Sequence, residues 1–404
     1  MEGIFNLSWQ TFEQALIILL LLSPVWLPAG LIYAFWTLWN TYLKLREIGK
    51  TDFILLEIKL PKEIDKSPAA MELVLSAFYQ GDPSANFIDK YWDGKFQPWA
   101  SLELVSLGGE VHFFIWTPKK NKNVLESRIY AQYSNVEIHE VPDYTQFLEF
   151  DHSKIKMWGT EYDFVKPDPY PINTYIDYGL DKNPKEFYKI DPLVSLIEYL
   201  GSVAPGDQVW HQILVRKHEK RRGRRGIFKK SDWKEEAKEV VKKLKTDWAP
   251  EEEGFSDFKL TESQRNTIKA IERSISKNAY EVGIRSIYFS TPENFDSSNI
   301  GGLLGSFLQI NSQDLNALKP ARTTKVKYPW QDYKGKRVDF KKKRMFEAYK
   351  ARGYFYPPYT NKWLILNSEE LATIYHFPGD VAQTPTFGRI GSKKTEPPTN
   401  LPVK

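Results

Sequence analysis

The chain opens with one long apolar stretch and continues with shorter apolar segments separated by polar ones. Positions 14–43 contain no charged residue. This length suffices for a membrane-crossing helix, because about 20 apolar residues span the hydrocarbon core of a bilayer. Trp26 lies near its middle and Trp36 and Trp39 lie towards its end, where aromatic side chains commonly meet lipid headgroups. The pattern therefore predicts a transmembrane helix over 14–43.

The charges that flank this stretch predict its orientation. Residues 1–13 carry acidic but no basic side chains, whereas Lys44, Arg46 and Lys50 follow the stretch directly. Basic flanks stay in the cytoplasm, so we expect 1–13 to form an extracytoplasmic tail and the rest of the chain to be cytoplasmic. A cleaved signal peptide and a re-entrant hairpin broken at Ser23-Pro24 are the alternatives. The first would normally begin with basic residues, which are absent here.

From residue 51 onward, segments typical of strands and helices alternate. The order strand, helix, strand, strand, helix, strand is that of a ferredoxin-like sandwich, and it predicts a first α+β domain at 51–150. Gly108-Gly109 marks the turn of its central hairpin. The predicted elements are strands at 53–60, 102–105, 111–116 and 136–141 and helices at 69–79 and 123–133.

A similar order recurs at 155–310, which predicts a second ferredoxin-like domain with a basic insertion at 216–230. The fold class is thus α+β: one N-terminal transmembrane helix followed by two ferredoxin-like α/β-sandwich units. We expect an irregular α+β segment at 311–378 and an extended, linker-like tail at 379–404. The predicted elements are strands at 162–165, 173–178, 208–215, 280–289 and 363–366 and helices at 191–200, 232–246, 261–277 and 368–374.

The composition and the motifs exclude several kinds of chemistry. The 404 residues include no cysteine, so disulfides, thiolate metal sites and cysteine nucleophiles are absent. No phosphate-binding loop occurs, and no two of the six histidines stand four residues apart, as a helical zinc site requires. We therefore expect no catalytic residue, cofactor or metal site, and a protein that is not an enzyme. An enzyme whose site is assembled from distant positions stays open as an alternative.

The strongest local signal is the basic insertion at 216–230. Such a cluster neutralises phosphates, either of anionic lipid headgroups or of nucleic acid, and a solvated loop is the third interpretation. The residues expected to make this contact are Arg216, Lys217, Lys220, Arg221, Arg222, Arg224, Arg225, Lys229 and Lys230. A second basic cluster, at 334–344, is interleaved with Tyr333, Phe340 and Phe346. These aromatic side chains either stack on single-stranded bases or bury in the domain while the lysines reach solvent.

Three segments resemble the region that precedes the motor domain in membrane-bound HerA- and TraG-like ATPases of type IV secretion and conjugation in candidate-phylum bacteria. They are 60–63 with 67–72, 205–208 with 212–215, and 366–378 with 384–385 and 397–402. The resemblance implies an accessory region that leads into a RecA-like ATPase. Because the chain ends at Lys404, where that motor would begin, the resemblance implies either an ATPase on a separate chain or an accessory region that works alone, and it transfers no catalytic residue.

The predicted function is that of a non-catalytic, single-pass scaffold for a type IV secretion-like DNA- or protein-translocating ATPase in the bacterial inner membrane. A membrane-tethered nucleic-acid-binding protein is the alternative. The expected partners are the membrane, a P-loop translocation ATPase, and anionic lipid or nucleic acid at the basic clusters. Gly30 and Ala34 have the spacing with which two copies pack in a membrane, so a homo-oligomer is a further expectation.

Overall fold

The structure is a computed structural model that describes residues 12–14, 16–18, 20–61, 64, 66–79, 86–151, 154–181, 190–219, 221–222, 230–231, 233–248, 260–326 and 328–379. The chain divides into two compact units. The first lies within Met1–Thr51 and Asp82–Phe96, and the second within Asp52–Gly81 and Gln97–Lys404. The predicted tail from residue 380 on lies outside the described residues.

The helices and strands are numbered in chain order. The helices are α1 Ser23–Lys50, α2 Ala69–Leu75, α3 Phe87–Tyr91, α4 Lys122–Gln132, α5 Val194–Gly201, α6 Trp233–Trp248, α7 Glu262–Ser276, α8 Ser298–Gly305, α9 Lys336–Lys350 and α10 Ser368–Ile374. The strands are β1 Phe53–Lys59, β2 Ala100–Leu107, β3 Glu110–Pro118, β4 Glu137–Val141, β5 Lys156–Phe164, β6 Gln208–Lys217, β7 Arg221–Arg222, β8 Lys230–Ser231, β9 Ala279–Ser290, β10 Leu318–Pro320 and β11 Leu364–Asn367.

Helix α1 is the apolar helix of the first unit. Pro24 stands in its first turn, where a missing backbone N–H leaves nothing unpaired, and Pro28 lies inside it. No single helix among the described residues is long and apolar enough to cross a membrane. The segment Phe12–Ile18 and α1 meet that requirement together, as a bent pair, by length and composition.

One antiparallel sheet of nine strands organises the second unit. Its order is β10-β5-β9-β6-β2-β3-β1-β4, and β11 also pairs with β9. Strands β1 to β4 form one half and strands β5, β6, β9 and β10 the other. If the four strands of each half are counted along the chain, they lie side by side in the order fourth, first, third, second, starting from the outer edge of the sheet. The halves meet where β2 pairs with β6, from Ala100 opposite Val215 to Leu107 opposite Gln208. The expectation of a mixed α+β fold is thus confirmed, with one large antiparallel sheet.

The two faces of this sheet differ in their packing. One face is apolar and is covered by α2, α4, α5, α8 and α10, which bury residues such as Leu125 and Leu196 in the largest core cluster. Side chains alternate across a strand, so the neighbouring positions form the second face. There α9 covers a smaller apolar cluster that includes Trp210 and Phe346. Helices α6 and α7 bury a third, separate cluster around Val241 and Ile271.

The structure corrects two sequence predictions. The segment 173–178, predicted as a strand, forms turns, in which the Asp177 carboxylate accepts hydrogen bonds from the backbone and hydroxyl of Thr174. The basic stretch after Pro329, predicted as irregular, contains the 15-residue helix α9. Its buried residues Met345, Phe346 and Tyr349 have helical spacing, but the surrounding lysines and arginines conceal this short apolar stripe.

Candidate anion-binding surface

The predicted contact residues of the basic insertion lie in different surroundings. Arg216 and Lys217 end the long strand β6, and the Lys217 ammonium lies 4.8 Å from the centre of the Tyr79 ring. Strands β7 and β8 place the backbones of Arg221, Arg222 and Lys230 in a small ribbon. Lys220, Arg224, Arg225 and Lys229 lie outside the described residues.

Arg216 must be removed from the predicted contact set. Its guanidinium is buried against Glu281, its partner across the strands, with its Nε and Nη2 atoms 2.7 and 2.6 Å from Glu281 Oε2. The ring of Phe355 lies 4.3 Å away and that of Trp363 5.2 Å away. A guanidinium enclosed by a carboxylate and aromatic rings cannot reach a lipid headgroup or a phosphate. The prediction failed because sequence reading grouped a strand residue with the loop that follows it.

A row of buried polar side chains crosses the centre of the same face. Glu161, Arg285, Gln212 and Glu103 are opposite one another on β5, β9, β6 and β2. The Arg285 Nη2 atom donates to Glu161 Oε1 at 2.9 Å, and its Nη1 donates to Gln212 Oε1 at 3.2 Å. The Gln212 amide in turn donates to Glu103 Oε1 at 3.0 Å. Each charge therefore has a buried partner, as buried ions require.

Arg352 closes this row from the segment that follows α9. It adopts a left-handed backbone conformation (φ 47°), and its Nε donates to Glu103 Oε1 at 3.1 Å. Both of its terminal nitrogens donate to the carboxylate of Asp143. Burial by itself lowers the pKa of Arg352, but the charges of Glu103 and Asp143 raise it above its ordinary value. The row thus ties the end of α9 to the sheet, and its groups are occupied with one another rather than open to a substrate.

Two histidines of the sheet, His211 and His112, likewise contact neighbouring side chains. His211 is fully buried, its Nδ1 lies 2.8 Å from Ser286 Oγ, and burial lowers its pKa to about 3, so it is neutral at physiological pH. On β3, His112 Nδ1 lies 2.8 Å from Oε1 of Glu57, which lies on the adjacent strand β1. Within the described ranges, no three histidine or carboxylate side chains are grouped in a way that would hold a metal ion.

The second basic cluster forms an exposed surface, which we call the basic–aromatic surface. Its three aromatic side chains are 64–79% exposed, and acidic residues are few: within 328–344 the sequence has seven basic and two acidic side chains. The surface consists of Trp330, Tyr333, Lys334, Lys336, Arg337, Phe340, Lys341, Lys342, Lys343 and Arg344. Sequence reading named two of its aromatics, Tyr333 and Phe340, as either stacking or buried groups, and the structure exposes both.

Two local features hold this surface in place. Lys334 and Gly335 both adopt positive φ angles, 52° and 79°, which turn the chain sharply into α9. Glycine tolerates this conformation without strain. The last turns of α9 then bury Phe346 and Tyr349, whose rings lie 6.1 and 5.1 Å from that of Trp210. The buried end of the helix therefore fixes the position of its exposed, basic beginning.

The groove next to the basic–aromatic surface carries no net positive charge. A groove of about 720 Å³ beside α9 is lined by Lys343 and Lys350, but also by Glu149 and Glu347. The two ammonium groups and the two carboxylates balance each other. Net positive charge is therefore concentrated on the first turns of α9 and the turn before them.

The fold and this surface describe an α+β sheet domain with an apolar helix before it and a basic–aromatic surface near its end. The chain belongs to a family of domains of unknown function, DUF8128, whose model matches residues 54–388. The match covers the sheet and the basic–aromatic surface and leaves α1 outside. No curated protein matches the chain.

Proposed function

We propose that the protein is a membrane-anchored, non-catalytic accessory protein that binds single-stranded nucleic acid through the basic–aromatic surface. The observation that carries this proposal is the exposure of Trp330, Tyr333 and Phe340 among cationic side chains. Cations follow a phosphate backbone, and aromatic rings stack on unpaired bases without regard to sequence. The Tyr328 and Trp330 rings are already parallel, with centres 4.6 Å apart.

The anchor in this proposal is the bent pair of Phe12–Ile18 and α1, which leaves the sheet domain in the cytoplasm of a bacterial cell. A cysteine replacing Asn6 should then react with a membrane-impermeant maleimide in intact cells, and one replacing Gly254 should not. The natural chain has no cysteine, so each label reports one position. Reversed labelling would refute the orientation.

The resemblance to the region preceding conjugation-type motors adds a partner to the proposal. We propose that the chain serves as a scaffold for a P-loop translocation ATPase on a separate chain, and that each half of the sheet is a ferredoxin-like unit. The strand order fourth, first, third, second in both halves supports that assignment. Because the sequence has no phosphate-binding loop, the purified chain should not bind ATP in calorimetry. Clear ATP binding would contradict the non-catalytic role.

The decisive experiment measures binding of a fluorescein-labelled oligothymidylate to the detergent-solubilised full chain by anisotropy. Stacking is worth roughly 1–3 kcal/mol per base, so Tyr333→Ala and Phe340→Ala should each weaken binding by about fivefold to a hundredfold. Phe147→Ala is the matched control, because Phe147 is also exposed but lies outside the surface. If all three variants bind like the wild type, the proposed surface is wrong.

The salt dependence of the same titration separates nucleic acid from other anions. For single strands the logarithm of affinity falls by about 0.7 per neutralised phosphate for each decade of salt. With Lys334, Lys336, Arg337, Lys343 and Arg344 exposed, the slope should approach roughly −3.5 if each meets one phosphate. Removing two of these cations, with Lys343→Gln and Arg344→Gln, should make the slope shallower.

Anionic lipid is the second candidate ligand, and the cationic ribbon at β7 and β8 favours it. Several lysines and arginines close to an acidic leaflet attract it by about 1 kcal/mol each. The residues of the basic–aromatic surface include aromatic rings but no aliphatic side chain with which to enter a lipid layer, and Val338 between them in the sequence is half-buried. Tight binding to phosphatidylglycerol vesicles, together with no binding to the oligothymidylate, would replace the nucleic-acid proposal by this one.

A further inference from the structure

Residues 86–96 return to the first unit after the chain has already entered the sheet domain. Helix α3 begins after Asn86, whose backbone N–H donates to the Asp89 carboxylate at 3.0 Å. The turn that ends it is closed by hydrogen bonds from the N–H groups of Trp92 and Lys95 to the carbonyls of Ile88 and Asp89. The segment 86–96 is therefore an ordered turn of helix that belongs to the same compact unit as α1, although it comes much later in the chain.

The packing of this segment on α1 is close. The Tyr91 ring stacks on that of Trp36, with centres 5.5 Å apart. Gly94 has a φ of 75°, and a Cβ built there would lie 2.5 Å from the carbonyl oxygen of Leu43. Only glycine permits this approach, because any larger residue would collide with the backbone of α1.

Two large apolar side chains of this segment point away from the protein. Ile88 and Trp92 are 65% and 71% exposed, and they stand four residues apart, on one side of a helical turn. The segment has two acidic and two basic residues, so its net charge is zero, and Asp89 and Lys95 form an ion pair at 3.1 Å. A net-neutral turn with an exposed aliphatic and an exposed indole differs from the basic–aromatic surface, and its chemistry suits a lipid layer rather than a phosphate chain.

The neighbouring part of α1 carries the aromatic side chains that mark a membrane boundary. The rings of Phe35 and Trp39, and those of Trp39 and Tyr42, lie 6.1 Å apart in each pair, and Lys44 follows. Tryptophan and tyrosine concentrate at the headgroup level of bilayers. The segment 86–96 therefore contacts α1 beside these aromatic side chains.

We propose that residues 86–96 are a second membrane contact, which inserts Ile88 and Trp92 at the headgroup level beside α1. This inference rests on the proposed anchoring of α1 and adds a non-spanning element to it. The two contacts together would fix how deeply α1 lies in the bilayer, because the segment cannot pass the headgroups. Leu31 lies eight residues before Trp39 and thus about 12 Å deeper along a straight helix.

The test uses single-cysteine variants of the full chain, each labelled with the fluorophore NBD and reconstituted in phosphatidylcholine vesicles. Ile88→Cys and Trp92→Cys report the proposed contact, Leu31→Cys reports the anchor, and Phe147→Cys is an exposed aqueous control in the second unit. Labels at positions 88 and 92 should emit at shorter wavelength than the label at 147. They should lose more intensity to lipids spin-labelled near the headgroup than to lipids labelled deep in the chain.

The outcomes separate this inference from the function on which it rests. The label at position 31 should be quenched most by the deep spin label. If it is, while labels at 88 and 92 behave like the one at 147, the second contact is refuted and the anchor stands. If the label at 31 is also in water, the anchor itself is wrong, and this inference fails with it. Agreement between positions 88 and 92 guards against a local effect of one substitution.

Discussion

Replacement of Arg352 by methionine tests whether the buried charges hold the end of α9 on the sheet. Arg352 is 1% exposed, and the Glu103 side chain that it faces is fully buried. Methionine has a similar length but no charge, so Arg352→Met leaves the carboxylates of Glu103 and Asp143 without their cation. The perturbation is therefore electrostatic, with little change in side-chain volume.

The expected magnitude follows from the partners that stay behind. Removing one member of a buried ion pair costs roughly 3–5 kcal/mol, because an uncompensated charge is left in the interior. Glu103 keeps hydrogen bonds from Ser101 Oγ at 2.7 Å, Tyr144 Oη at 2.8 Å and Gln212 Nε2 at 3.0 Å. These donors moderate the penalty without removing it. We expect the free energy of unfolding to fall by about 3–5 kcal/mol.

The measurement is urea unfolding of the detergent-solubilised chain, followed by near-ultraviolet circular dichroism. Arg344→Met is the matched control, since Arg344 is exposed on α9 and its replacement should change stability by less than about 0.5 kcal/mol. The double variant Glu103→Gln, Arg352→Met should be more stable than Arg352→Met alone, because its interior lacks the uncompensated Glu103 charge. A loss below about 1 kcal/mol for Arg352→Met would refute the role of this ion pair.

Two further predictions concern a second buried ion pair and a glycine in the sheet. His376 Nε2 lies 3.0 Å from Asp191 Oδ2; burial by itself lowers the pKa of His376, but Asp191 raises it above 6.5, its ordinary value. The pair therefore stabilises the fold fully below about pH 6.5 and loses this effect as the pH rises through the raised pKa. His376→Gln should destabilise more at about pH 6 than at about pH 9, and an equal loss in urea unfolding would contradict the ion pair. A Cβ at Gly283 would lie 2.6 Å from the Tyr354 ring, so Gly283→Ala should cost about 1–3 kcal/mol, whereas Gly301→Ala, with nothing within 4 Å, should not destabilise. Equal stabilities of these two variants would contradict this prediction, because they would show that the Tyr354 ring can move aside without cost.

Local patterns in the sequence predicted many of the individual elements. The helices predicted at 123–133 and 261–277 correspond to α4 and α7 within one residue at each end. For α7 the signals are local, because Thr261 and Gln264 form a capping box and the apolar residues follow at helical spacing. The strand predicted at 208–215 lies within β6, because a run of β-branched and apolar residues is also a local signal. Helix α9 was missed, since its buried apolar residues lie only in its last turns and the lysines before them are typical of loops.

The tertiary structure alone decided how these elements combine and which charges are exposed. The pairing of β2 with β6, which joins the two halves into one sheet, leaves no local signal, because any two edge strands of suitable length can pair. Arg216 and Arg344 look alike in sequence, yet the first is enclosed by Glu281 and aromatic rings and the second faces solvent. Burial of a charge depends on partners that arrive from distant positions, and those partners meet only when the whole sheet has formed.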